Sequence, residues 1–374
     1  MNDNLSVDAD LLTEIQTQGV RLMGTRQQVV SRKGGAGPSD HQAMQFSGRT
    51  LMIPTFTQTA WESKYTLSGD MLLKNNEISG ELIPVTEVQL TAKPAFYDRV
   101  TAEGVPFSHI ATLHSTDVLA TTVIQTCIRY ENRRKACQFC SIGQSLYAGR
   151  TINRKAPEQL AEVVQAAVEL DGIKHVVMTT GTPNHSDRGA RAICESALAI
   201  KHVVDIPVQG QCEPPDDFSW FQKMKDAGID SLGMHLEVIT PSVRQKITPG
   251  KAEIPVEYYL KAYRAAVRVF GRGQVSTYIL AGLGDSRETI LEFSAELIDI
   301  GVYPFVVPFV PIRGTPLEDH PAPSSEFMAS VLRPLSRMLI DAEMRSAGTK
   351  AGCVKCGACS SLSEYEEELI DECD

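Results

Sequence analysis

The chain has 374 residues, 43% hydrophobic and 22% charged, with a formal net charge of −10. That is globular composition, which excludes wholesale disorder, and the negative balance argues against a broad polyanion-binding surface. No apolar run is long enough to span a bilayer, and the opening MNDNLSVDADLLTEIQ lacks a basic-then-apolar leader pattern. A cytoplasmic protein without a nucleic-acid or membrane partner is expected.

Residues 1–30 read as a helix leading into a flexible stretch. Residues 31–40, SRKGGAGPSD, form a Gly-rich loop without the Gly-Lys-Ser/Thr that a phosphate-binding loop needs. Short β-like runs follow (TLMIPTF, SKYTLSG, EISGELIPV), broken by Gly and Pro. Residues 1–110 are therefore expected to be a β-rich N-terminal extension or cap.

From about residue 116 apolar strands alternate with amphipathic helices. Strands are expected at 117–125, 174–181, 206–214, 231–238, 275–283 and 303–312. Helices are expected at 157–170, 189–203, 217–228, 256–271 and 287–301, with another at 324–344 after the last strand. Continuous apolar strands separated by helices mean a parallel sheet covered by helices. Six such units predict an α/β fold with a partial or full TIM-like barrel over residues 111–320, followed by a helix and a cysteine-rich tail at 321–374. In this architecture the strand C-termini carry the chemistry.

Nine cysteines are present, six of them in two tight groups, a pattern that points to metal more than to disulfides in a reducing compartment. Cys127 ends the first barrel strand, and Cys137 and Cys140 complete a C-x9-C-x2-C loop. Three thiolates can grip three irons of a [4Fe–4S] cube and leave the fourth open, whereas a structural zinc site takes four ligands. Arg129, Arg133, Arg134 and Lys135 would offset the negative charge. A zinc or purely structural cysteine loop is the alternative.

These residues resemble the radical S-adenosylmethionine (SAM) superfamily, whose usual loop is C-x3-C-x2-C with an aromatic before the last cysteine. Phe139 stands in that place, while the first gap is longer here. The resemblance implies that the second strand end, MTTGTPNH, contacts the SAM amino group through Thr180, Gly181 and Thr182. A plain strand-to-helix turn is the other reading. The fourth strand, GMHLEVITPSVRQKITPGK, is similar to lipoyl synthases. By that likeness Glu237 meets the ribose or amine of SAM and Arg244 its carboxylate, against a buried ion pair and a surface helix arginine. The fifth strand, YILAGLGDSRETI, is similar to the adenine-packing region of biotin synthase and implicates Gly282, Leu283 and Gly284. Gln211 and Glu213 share one face of the third strand and Cys212 the other, so Gln211 joins the cofactor-binding set. Cys194 reads as a core residue, His235 as a cavity residue, and Arg313 as a candidate anion contact in the mouth.

Near the C-terminus Cys353, Cys356 and Cys359 form C-x2-C-x2-C, and Cys373 follows fourteen residues later. The first three match the opening of a ferredoxin-type run. A second, auxiliary [4Fe–4S] cluster is expected, with Cys373 as its possible fourth ligand; a zinc site or an unstructured acidic tail are the alternatives. The EYEEELIDE run reads as a solvated face or a short helix.

The resemblance implies an enzyme that reductively cleaves SAM at a cluster and uses a 5′-deoxyadenosyl radical to abstract hydrogen from a small-molecule substrate. An electron donor such as flavodoxin or ferredoxin would be its partner. The layout looks most like a branch related to biotin and lipoyl synthases and encoded beside nitrilases, which implies a setting in nitrile or cyanide nitrogen metabolism. The N-terminal cysteine triad of lipoyl synthases is absent, since no cysteine precedes Cys127. A zinc-dependent barrel enzyme and a non-catalytic iron–sulfur electron carrier are the rival readings.

Overall fold

The computed structural model describes residues 7–23, 38–76 and 78–371. Among the described residues thirteen strands fall into two sheets. The first sheet contains β1 (Arg21–Met23), β2 (His41–Phe46), β3 (Arg49–Pro54), β4 (Tyr65–Ser68), β5 (Met71–Asn75) and β6 (Leu82–Leu90), in the order β1-β4-β5-β6-β2-β3. It encloses its own small core around Phe46, Leu51, Ile53, Tyr65 and Leu67, capped by Leu12 and Ile15 of the helix Ala9–Gln18. The expected β-rich extension is thus present. The described part of the 31–40 loop is residues 38–40.

The second sheet contains β7 (Thr112–His114), β8 (Val118–Thr122), β9 (His175–Thr179), β10 (Val208–Gln211), β11 (Ser231–Gly233), β12 (Val275–Ala281) and β13 (Val302–Pro308). From β8 to β13 the strands are parallel and lie in chain order. A sheet that never reverses its order has no switch point, so it curls toward a barrel instead of forming a doubly wound layer. It ends at β13 and, on the other edge, at β7, which turns back antiparallel on β8, so the barrel is partial. Every residue of β8 and β13 is buried, the signature of strands covered on both faces.

The helices Pro157–Asp171, Ala190–Val203, Ser219–Asp226, Val256–Phe270, Arg287–Asp299 and Ser325–Asp341 match the expected segments closely. Pro157 opens the first of them, and Ser286 and Ser324 cap two others by accepting from Thr289 and Phe327 backbone N–H. Among the described residues no helix is long and apolar enough to cross a membrane.

The segment after Asp341 is no loose tail. It runs beneath the N-terminal ends of the barrel strands and bonds to them one by one. Gln274 Nε2 donates to Gly348 O at 3.0 Å, Ser231 Oγ to Ala351 O at 2.7 Å, and Gly352 N–H to His175 Nδ1 at 3.1 Å. Gly352 has φ +105°, and a Cβ there would lie 2.1 Å from the Gln209 amide, so only glycine fits. From the opposite side the N-terminal sheet and the helix that caps it hold the same segment: Met52 N–H donates to Ala358 O at 2.7 Å, and Thr13 Oγ1 lies 2.6 Å from Ser361 Oγ. The acidic run forms the helix Leu362–Asp371. Its expected solvated face holds for Glu367 but not for Glu366, which is buried and accepts from the Tyr303 hydroxyl and from Ser346 N–H at 3.0 Å.

Burial holds the His175 imidazole neutral, with a pKa lowered from 6.5 to about 4. The unfolded chain therefore binds this proton first as pH falls, and stability drops between pH 6.5 and 4, by on the order of 3 kcal/mol in all. His175→Gln keeps an acceptor for Gly352 without the titration. Its denaturant midpoint is expected to fall less than that of the wild type between pH 7 and pH 5.

Candidate active site

The first cysteine loop leaves the barrel where β8 ends. Its path is fixed by close approach to the end of β9: a Cβ on Gly181 would lie 2.2 Å from Thr126 O. Gly181 N–H donates to Ile124 O at 2.8 Å and Ile128 N–H to Thr182 O at 3.0 Å. Further along, Gln138 N–H donates to Ile247 O at 2.8 Å and Gly250 N–H to Lys135 O at 3.1 Å, tying the loop to the connection after β11. Phe139 packs on a small apolar cluster of Val238, Ile247, Leu283 and Phe309.

Cys140 N–H donates to Cys137 O at 3.0 Å, closing a tight turn between the two thiols. Desolvation pushes the Cys140 thiol up to about 12 and the Cys137 thiol well above its ordinary value. Cys127 and Glu237 act on Cys140, and Glu237 and Lys251 on Cys137, so the three thiols and this ion pair share one environment. Among the described residues no three His, Cys, Asp or Glu side chains converge on a single-ion site. Thiols that grip separate corners of a cube need not converge. Half-buried soft sulfur donors with cations alongside suit an iron–sulfur cluster.

Two ion pairs lie beneath the loop. Arg129 forms a bidentate pair with Glu213, at 2.7 Å from Nε and 2.6 Å from Nη2, and Thr182 Oγ1 donates to the same carboxylate at 2.8 Å. These bonds hold the Glu213 carboxyl ionised despite its burial. Lys251 Nζ lies 2.8 Å from both Glu237 oxygens and 3.1 Å from His235 O. Glu237 has φ +68°, a left-handed conformation that costs a non-glycine residue roughly 1–3 kcal/mol. Its backbone still bridges β12, donating to Tyr278 O at 2.9 Å and accepting from Leu280 N–H at 2.8 Å.

Arg244 differs from expectation. It is 2% exposed, so it is no surface residue, and its guanidinium is committed to four backbone carbonyls, those of Leu236, Val238, Lys251 and Ile254. It also sits 5.5 Å from the Tyr259 ring. It organises the connection after β11 instead of presenting free donors to a carboxylate. Thr180 Oγ1 donates to Gly181 O at 2.8 Å. Gly282 is packed against Pro323, and Leu283 lies beneath Phe139. Arg313 is exposed. Cys212 faces the helix side with Cys194 in the main core, opposite to Gln211, as strand alternation requires.

Inside the half-barrel lies a cavity of about 330 Å³. Phe139 lines it at the first cysteine loop, and Cys353 and Cys359 line it at the opposite end. Its walls are largely apolar, with His235, Tyr278, Thr179 and Gln211 among the polar groups. His235 Nδ1 accepts from Tyr278 N–H at 3.2 Å, so the neutral ring carries its proton on Nε2. That Nε2 is buried without a partner, and desolvation lowers the imidazole pKa to about 3. Gln211 faces down the barrel: its Nε2 donates to Cys353 Sγ at 3.1 Å. Burial pushes the Cys356 thiol up to about 12. Cys373 lies outside the described residues. Lys251 carried no signal in sequence, because the path of the connection after β11 alone brings it to Glu237.

The sequence profile of the Radical SAM superfamily matches residues 131–297. Over those residues the chain therefore carries a region like the radical SAM domain. Among curated proteins it is similar to a bacteriochlorophyllide c C-7(1)-hydroxylase of Chlorobaculum limnaeum, 29% identical over 229 residues, which are 56% of each chain. It is also similar to a lipoyl synthase of Marinobacter nauticus, 27% identical over 174 residues, 45% of this chain and 47% of that protein. The chain thus matches about half the length of these relatives. Among solved structures, a radical SAM methyltransferase from Sphaerobacter thermophilus aligns at 18% identity with a TM-score of 0.45, covering 70% of this chain and 75% of that one.

Removing one member of a buried ion pair strands the other. Arg129→Ala should destabilise the protein by about 3–5 kcal/mol, and adding Glu213→Gln should recover part of that loss. Denaturant melts of the two single variants and the double variant measure the coupling.

Proposed function

We propose that this protein is a radical SAM enzyme with a cluster on Cys127, Cys137 and Cys140, acting on a small molecule in the barrel cavity. A second [4Fe–4S] cluster is carried by Cys353, Cys356 and Cys359. The observation that supports this best is the cavity, which is lined both by Phe139 of the first cysteine loop and by Cys353 and Cys359 of the second. Bound cluster and SAM together supply one-electron cleavage of the S–C5′ bond, giving methionine and a 5′-deoxyadenosyl radical that takes a hydrogen atom from the substrate.

The chain's own part is to bind, orient and exclude water. Thr180, Gly181 and Thr182 sit against the cysteine loop and would meet the amino acid end of SAM. Glu237, held by Lys251, would meet its amine or ribose. Gly282 and Leu283, on the neighbouring strand end, would flank the adenine. His235 Nε2–H offers a hydrogen bond to an acceptor atom of the substrate. The apolar walls keep water from a radical that would otherwise be quenched. Exposed Arg133, Arg134 and Lys135, beside the loop in a chain of net charge −10, give an acidic electron donor such as a flavodoxin or ferredoxin a place to dock. The nitrile or cyanide setting rests on sequence resemblance alone, and nothing in the cavity singles out a nitrile.

Anaerobic reconstitution tests this directly. The wild type should hold about eight irons with negligible zinc. Cys127→Ala/Cys137→Ala/Cys140→Ala should retain about four irons and form no 5′-deoxyadenosine from SAM. Cys353→Ala/Cys356→Ala/Cys359→Ala should also retain about four irons yet still cleave SAM. Stoichiometric zinc without iron would refute the radical reading.

A further inference from the structure

The chemistry of the cavity walls restricts what can enter. Among the described residues that line it there is no carboxylate, ammonium or guanidinium group. Val177 of β9, Leu280 of β12, Val307 of β13 and Phe309 just beyond supply apolar surface. Lys251 reaches the carbonyl of one lining residue, His235, but its charge is matched by Glu237. An ion brought between these walls loses its hydration and finds no counter-charge. The volume of about 330 Å³ is at the small end for ligand pockets.

Polar groups of the wall are mostly engaged with the protein. Both protons of the Gln211 amide are used, toward Gln209 Oε1 at 2.7 Å and Cys353 Sγ at 3.1 Å. The Tyr278 hydroxyl bonds the same sulfur. His235 differs. Its Nδ1 accepts from Tyr278 N–H at 3.2 Å, which leaves the proton on Nε2, and Nε2 is buried without a partner. The ring stands edge-on to that of Tyr278, with centroids 4.5 Å apart, so its orientation is fixed. A buried donor left unmatched is costly, and what satisfies it is an acceptor atom. The imidazole stays neutral at physiological pH, so it offers an anion no positive charge.

We propose that the substrate is an uncharged, mainly apolar molecule bearing one hydrogen-bond acceptor, such as the carbonyl of a ketone, ester or amide, and that His235 Nε2–H holds that acceptor. The inference rests on the reading of this cavity as the substrate site. It sets carboxylic acids, amines and phosphorylated molecules outside the substrate range. His235 then selects by hydrogen bonding, and the apolar walls select by refusing charge.

Four probes of similar size separate the two effects: acetophenone, ethylbenzene, benzoate and benzylamine. Their dissociation constants are measured by ligand-observed NMR on the anaerobically reconstituted protein. Acetophenone should bind about tenfold more tightly than ethylbenzene, the worth of one neutral hydrogen bond. Benzoate and benzylamine, charged at pH 7, should show no binding. His235→Phe should bring acetophenone down to the level of ethylbenzene and leave ethylbenzene unchanged. His235→Gln, which keeps an N–H donor, should retain part of the preference. Benzoate or benzylamine binding as well as acetophenone overturns the proposal, and so does equal weakening of acetophenone and ethylbenzene in His235→Phe, or no binding of any probe. The radical reading fails separately, by the absence of 5′-deoxyadenosine when SAM is added, and the four affinities are read independently of that result.

Discussion

The contact of Gly181 with the Thr126 carbonyl decides where the rest of the site can be. No side chain fits there, so the end of β9 and the root of the cysteine loop lie against each other. The two backbone bonds that flank the contact, to Ile124 O and from Ile128 N–H, then set the direction in which the loop departs. Every later tie depends on that direction: Gln138 to Ile247, Gly250 to Lys135, and Arg129 to Glu213. The thiols thereby come to lie over the ends of β10 and β11 instead of swinging out into solvent.

Charge balance follows from the same placement. Thiols in a poorly solvated pocket resist ionisation, and carboxylates beside them would make ionisation harder still. The structure pairs each nearby carboxylate with a cation, Glu213 with Arg129 and Glu237 with Lys251. What remains beneath the loop is close to neutral. A pocket of that kind can take on an anionic thiolate cluster without stacking negative charge on negative charge. Arg244 serves differently: its guanidinium gathers four carbonyls of one irregular connection, replacing the hydrogen bonds that a regular element would have provided.

Much of this architecture was legible in sequence because its elements are driven by burial. Strands buried on both faces, such as β13, read as continuous apolar runs, and helices such as Val256–Phe270 show a clean apolar stripe. The short edge strand β7 escaped notice, since three residues carry no period. The cysteine spacing announced both loops, but not that Phe139 of the first and Cys353 and Cys359 of the second line one cavity. Nor did spacing show that Arg244 is consumed by backbone carbonyls, or that Lys251 reaches back to Glu237. Those facts depend on where irregular connections travel, and such paths are settled by tertiary contacts without a sequence pattern of their own. The acidic C-terminal run forms the expected short helix, but the burial of Glu366 within it has no sequence signal, because Tyr303 and Ser346, which make it tolerable, are distant in the chain.

The segment from Ser346 to Ser361 lies between the two sheets and touches both. Its partners are far away in sequence: Met52 pairs with Ala358, and His175 with Gly352. Contacts of such long range are slow to form, because the intervening chain must be organised first. On a ribosome these residues emerge after every strand of both sheets. The floor of the cavity is therefore laid last, as a keystone slid between two finished walls. Any cluster carried by that floor must be delivered either to a molecule still open at its base or to one that can reopen there.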